Sequence, residues 1–402
     1  MEIRSGPDGA DPPARRRRGS RHVITLIALA VAVAPVAAGC GAATADDSVY
    51  RLGVITSQTG SASQLGLGEL QGAQLAADTL NAQGGVAGKR MELVVADDQS
   101  TPVQAVLQAR RMVGQVDAIV GPSVSSTCNA IAPLAESSRT VVYCLSPGIK
   151  PKPGGHVWSA SVATSDLIRR ALQHWRAEGI TRIGMLNSTD ASGQEGAASL
   201  QAAAAAMPGT QLVGAATFEP GAVSVTSQLQ ALAAAKPQAL IVWSTGAAAA
   251  VALKGVSQLG LDIPVATTDG NLTYAFLGRV ADYIPPTLLI PATQDFWWQQ
   301  SERPPPARAL EESYHHDFEA RFGSRPDFGP GVAYDAVHVL ADALAHHAGD
   351  PTTLKETLER RTGVVGVVGT YDFAPDDHRG LGIDDVAMVR VVDGGFVPTE
   401  KR

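Results

Sequence analysis

The residues best suited to chemistry are a cluster of small hydroxyls. Residues 116–135 read VDAIVGPSVSSTCNAIAPLA: an apolar run, a break at Gly121-Pro122, then Ser123, Ser125, Ser126 and Thr127 ahead of a helical pattern. A buried strand, a tight turn and a helix start are expected. The first N–H groups of a helix lack intrahelical partners, and the macrodipole leaves partial positive charge there. Such an end suits a carboxylate or another anion. The plainer reading is that Ser126 or Thr127 only caps the helix.

A second candidate is Thr267-Thr268-Asp269-Gly270, also after an apolar run. Asp269 either opens an Asp-Gly turn or presents a carboxylate whose burial requires a cation. The histidines, including His315-His316 and His346-His347, lack Glu or Cys at metal-ligand spacing. Residues 363–369 are glycine-rich but lack the Lys-Ser/Thr end of a phosphate loop, and no nucleophile elbow is present. No enzyme is therefore expected, and no cofactor or metal.

These candidates need elements to position them. Strand patterns at 49–55, 90–96, 116–120 and 140–145 alternate with helical ones at 66–81, 102–112 and 128–137. Thr101-Pro102 supplies a cap and an N1 proline. Strand, helix, strand repeated this way demands a parallel sheet covered on both faces, with ligands at the carboxyl ends of the strands. After the turn-rich stretch 147–155 a second series starts, with helices at 166–178, 193–206, 224–235 and 247–259. Its strands are at 180–186, 211–217, 239–243 and 264–267, so a second α/β lobe is expected. Residues 291–306 read as a loop-like insert carrying Trp297 and Trp298. Helices follow at 307–321, 332–347 and 353–361, then strands near 364–371 and 386–392.

Residues 1–39 read as a secretory signal peptide: arginines at 15–18 and 21, a short apolar core at 23–36, then Ala37-Ala38-Gly39 before Cys40. Small residues followed by Cys resemble a lipobox, with Ala37 where Leu is usual; lipidation of Cys40 would make 40–48 a tether. The alternative is ordinary cleavage nearby. Removing the leader discards six Arg and three acids and takes the net charge from −7 to −10, which excludes nucleic acid as a natural partner. Cys128 and Cys144 follow consecutive strands, so they either bridge in an oxidising compartment or remain buried thiols.

The stretches GVITSQTGSASQLG, GAQLAADTLNAQGGVAGKRMELVVADDQSTPVQA, IVGPSVSST and LSPG, in that order, resemble the leucine/isoleucine/valine-binding group of type I periplasmic binding proteins, solute receptors of ABC importers. The resemblance implies two doubly wound parallel-sheet lobes joined by a three-crossing hinge. It divides the chain into 49–160 (lobe 1), 161–286 (lobe 2), 287–383 (lobe 1 again) and 384–402 (the last strand of lobe 2). It implies a ligand carboxylate on Ser125, Ser126 and Thr127, with Thr59 in the first loop. Ile149 and Lys150 would face the same cleft, and Asp269 would meet the ligand's ammonium. Ser192 and the 246–250 stretch starting at Gly246 replace aromatics usual in the group, so the side-chain pocket is expected to be reshaped, with Trp243, Trp297 or Trp298 as possible wall. The implied function is capture of a small carboxylate-bearing ligand, an amino acid, for an ABC permease, from a lipoprotein on the outer face of the cell membrane. A sensory receptor of the same fold is the alternative.

Overall fold

The computed structural model describes residues 48–300, 302–347 and 353–399, all within one compact unit, Asp46–Arg402. The leader, Cys40 and the tether up to residue 47 lie outside the described residues. No helix among the described residues is long and apolar enough to cross a membrane.

The first alternating series forms a five-stranded sheet. Its strands are β1 (Val49–Thr56), β2 (Arg90–Asp97), β3 (Ala118–Val120), β4 (Val141–Cys144) and β5 (Val157–Ser159), in the order β2-β1-β3-β4-β5, all parallel. Helices α1 (Ser63–Ala82), α2 (Pro102–Met112) and α3 (Ser125–Ser138) supply the crossovers. The α1 end is tied to the edge strand by Asn81, whose side chain accepts from Met91 N at 2.8 Å and donates to Met91 O at 2.9 Å. Gly53 of β1 lets Met112 of α2 approach, since a Cβ there would lie 2.7 Å from the Met112 sulfur.

The second series runs α4 (Thr164–Ala177), β6 (Arg182–Ser188), α5 (Ala191–Ala206), β7 (Gln211–Phe218), α6 (Thr226–Ala234), β8 (Ala239–Trp243), α7 (Gly246–Gln258), β9 (Val265–Thr267), α8 (Tyr274–Val280) and β10 (Leu288–Ala292). Helices α9 (Pro305–Phe322), α10 (Phe328–His347) and α11 (Leu354–Leu358), the hairpin β11 (Val364–Val365) and β12 (Thr370–Tyr371), and strands β13 (Ala387–Val392) and β14 (Gly395–Pro398) complete the described chain. The second sheet has the order β14-β13-β10-β9-β8-β6-β7. It is parallel except at its C-terminal end, where β13 pairs antiparallel with β10 and β14 with β13.

Two expectations change here. Residues 288–292 are a strand of the second sheet, so the segment assigned to the first lobe from residue 287 begins only after Ala292. Pro291 is tolerated because only Leu288 and Leu289 pair with β9, leaving Pro291 opposed by β13 alone. Within the expected insert Trp297 follows one short 3-10 turn and Trp298 opens the next, the first buried in the core and the second stacked on His315 at 4.9 Å.

The chain passes between the two sheets at 160–163, at 293–304 and at 372–386, because α4 packs on β10 while α10 packs on α1. Arg379 joins two of these passages and the loop after β4. Its buried guanidinium donates to Ser159 Oγ at 2.7 Å, to Ser161 O, and to Ile149 O at 2.7 Å. Burial pulls its pKa down to about 10, against the neighbouring charge of Asp377.

Candidate functional site

The turn after β3 is built to place a helix start. Gly121 has φ +97°, and a Cβ there would sit 1.9 Å from Ile55 O, so only glycine fits. Ser123 next to it is locked on both sides: its Oγ accepts from Ser57 N at 2.8 Å, and its hydroxyl is bonded to Glu69 Oε2. Helix α3 begins at Ser125, three residues earlier than the pattern suggested. Its N-cap is therefore Val124, which has no side-chain acceptor. The capping role expected of Ser126 or Thr127 is not what they do. The Thr127 hydroxyl donates back to Val124 O at 2.9 Å, and Ser125 Oγ shares a hydrogen bond with Ser146 Oγ at 2.7 Å. A helix start without a side-chain cap leaves first-turn N–H groups for a ligand or water.

That start opens on a cavity of about 160 Å³. The first sheet's connections contribute Ser61, Ala62, Gln64, Ser100, Val124, Ser125 and Ser126; the second's contribute Asp190, Ala191, Ser192, Pro220, Thr245, Ala247 and Ala248. Four helix N-termini thus converge: those of α1, α3, α5 and α7. Asp190 caps α5, its Oδ1 accepting from Gly193 N at 2.8 Å and from the Ser188 hydroxyl at 2.9 Å. Gly246 starts α7 at φ +63°, its N–H held by Asn271 Oδ1 at 2.8 Å. The Asp190 carboxylate offsets the α5 end, so the positive end of uncapped α3 is what makes its side of the cavity attractive to an anion.

Of the residues singled out from the sequence, Ser125, Ser126 and Ser192 line this cavity and Gly246 borders it. The others lie elsewhere, each with its own protein partners. Thr59 is exposed and donates to Asp97 Oδ2 at 2.6 Å. Thr127 is buried behind the helix start. Ile149 packs in the hydrophobic cluster with Cys128, Ile131 and Val157. Lys150 reaches out instead of in, pairing with Glu195 of α5 at 2.9 Å and so linking the two halves outside the cavity. Asp269 is buried with Oδ1 accepting from the Thr268 hydroxyl at 2.7 Å and Gly270 N at 2.9 Å. Burial raises its pKa to about 7, opposed by those hydrogen bonds and by Arg379. Cys128 and Cys144 are disulfide-bonded, Cα atoms 6.2 Å apart, beneath the α3 start. Trp243 lies under α5, where only a glycine at 196 leaves room: a Cβ there would meet the indole at 2.2 Å. Neither Trp243, Trp297 nor Trp298 lines this cavity.

Sequence reasoning missed Gln64, Asp190, Thr245 and the hinge residue Arg379. Asp190 was readable as the cap of an Asp-x-x-Gly helix start; Gln64 carries no such local signal. A larger hollow of about 520 Å³ exists between α9 and β14, lined by Trp298, His315 and Phe396, and the hydroxyl cluster takes no part in it.

The sequence profile of the family described as periplasmic binding protein matches residues 49–395. The chain belongs to this family. Membership makes this periplasmic binding protein an extracytoplasmic solute-binding protein and not an enzyme. Among curated relatives, an amino acid binding protein of Pseudomonas aeruginosa is 42% identical over 78 residues, 19% of this chain and 21% of that protein. A Leu/Ile/Val-binding protein, BraC3 of Rhizobium johnstonii, is 34% identical over 93 residues, 23% of this chain and 25% of that one. The matches thus span about a fifth to a quarter of those relatives' length. Solved structures share the fold over nearly the whole molecule. An extracellular ligand-binding receptor of Rhodopseudomonas palustris HaA2 has TM-score 0.80 at 20% identity, covering 88% of this chain and 100% of the other. The leucine binding protein LivK of Thermotoga maritima has TM-score 0.75 at 20% identity (87% and 98%). The branched-chain amino acid transporter protein LivJ of Streptococcus pneumoniae, solved with isoleucine, has TM-score 0.72 at 21% identity (87% and 97%).

Proposed function

We propose that this protein captures a small amino acid between two lobes and hands it to an ABC permease, held at the outer face of the membrane by lipid on Cys40. The lobes are the two sheets with their helices, and the hinge is the set of three passages, two of them joined by Arg379. The convergence of four helix N-termini on one cavity, with α3 uncapped, carries the reading. The ligand's α-carboxylate takes the first-turn N–H groups of α3 beside Ser125 and Ser126, where the macrodipole favours negative charge. Contacts with both halves favour the closed arrangement and shift its population, which is all the mechanism requires.

Calorimetric titration with amino acids and their amides tests this. Amino acids bind, and carboxyl amidation costs at least tenfold. Ser126→Asp puts a fixed carboxylate at the helix start; binding is lost while thermal stability holds, since an acid in a first helical turn is favourable. Undiminished binding by Ser126→Asp would overturn the placement of the carboxylate.

A further inference from the structure

Among the side chains that line the cavity, one has a buried polar atom without a hydrogen-bond partner. Gln64, in the first turn of α1, lines the cavity, and its Nε2 is buried without a hydrogen-bond partner. The amide spans from the first half to the second: Nε2 lies 3.1 Å from where a Cβ on Gly246 would be. The glycine at the start of α7, needed for φ +63°, also makes room for the amide. Buried donors in native structures are paired, and an orphan costs roughly 1–3 kcal/mol.

We propose that Gln64 donates to an acceptor on the ligand's variable group, and that the ligand is a neutral polar amino acid, one with a side-chain carboxamide or hydroxyl. This rests on the amino-acid reading above and deepens it. The surroundings agree: Ser61, Ser192 and Thr245 share the lining, and Asp190 on the rim disfavours a second carboxylate. A branched aliphatic side chain of the same size would leave Nε2 unpaired. By the cost of a buried unpaired donor, it binds about tenfold to a hundredfold more weakly.

The test is calorimetric titration of the natural protein and two variants with asparagine, glutamine, serine, threonine, aspartate, leucine, isoleucine and valine. Gln64→Met removes the donor at similar volume; Gln64→Glu replaces it with an acceptor and preserves the polar surface if Gln64→Met does not fold. The natural protein should prefer asparagine, glutamine, serine or threonine over leucine and over aspartate, and either variant should lose at least tenfold of the preference over leucine. Tightest binding of leucine, isoleucine or valine to the natural protein, or a preference unchanged in the variants, would overturn the role of Gln64 and leave the amino-acid reading intact. No binding of any of these compounds would overturn both.

Discussion

Glu69 supplies the sharpest test of how the anion-facing turn is held. It lies on α1, fully buried, because α1 sits tight against its neighbours: a Cβ at Gly66 would be 2.2 Å from Ser57 O, and one at Gly72 would be 2.1 Å from Pro330 O. Its Oε2 is bonded to the Ser123 hydroxyl, while Oε1 is buried without a partner. Burial, with smaller contributions from Asp98 and Asp327 and against the Ser123 bond, raises its pKa from 4.5 to about 8. The folded protein therefore holds a proton that the unfolded chain releases between pH 4.5 and 8. Stability falls as pH rises through that window, by an amount on the order of 3 kcal/mol at pH 7. Glu69→Gln keeps the shape and the bond to Ser123 but cannot ionise. In urea unfolding of the ligand-free protein, followed by tryptophan fluorescence, variant and natural protein should agree near pH 4.5. The variant should gain roughly 3 kcal/mol on the natural protein by pH 7. Other raised acids, such as Asp295 at about 8 and Asp335 at about 7, titrate in both proteins and cancel in the difference. A difference independent of pH would refute the assignment of a neutral Glu69.

Two further outcomes are expected. Lys150→Ala removes the ion pair with Glu195; with the lysine side chain 74% exposed, the pair is worth at most about 1 kcal/mol. Ligand dissociation measured by stopped flow should quicken about two- to fivefold at low salt, and the difference should vanish in concentrated salt. Gly196→Ala drives a methyl into the Trp243 indole and should cost about 1–3 kcal/mol, read as a lowered Tm.

Much of the architecture was legible because strand and helix periodicities differ and each series ran unbroken. What escaped were elements with little sequence of their own. Strand β5 is three residues long, and β10 contains a proline, so neither announces itself. Within the site, the hydroxyl cluster was visible because a helix start is local chemistry. Asp190 was legible only as a cap, and Gln64 not at all, since the two line one cavity only when segments far apart in sequence close on one another. The reading of Thr59, Lys150 and Asp269 as cavity residues failed for a related reason: strand-end position says which edge a side chain occupies, not which partner it finds there. Glu69 was missed because its burial depends on Gly66 and Gly72 of its own helix meeting Ser57 and Pro330, which other segments carry.

The Asn81 amide on Met91 has a consequence for behaviour among copies. Strand β2 is the outer strand of its sheet, and alternate residues turn their peptide groups outward, Met91 among them. Both outward groups of Met91 are already occupied by a side chain that imitates a neighbouring strand. In the strand's middle, that leaves Leu93 and Val95 to offer outward groups. A foreign chain would have to displace two good bonds to extend its grip. When many molecules refold side by side, this asparagine acts as a stopper against edge-to-edge aggregation.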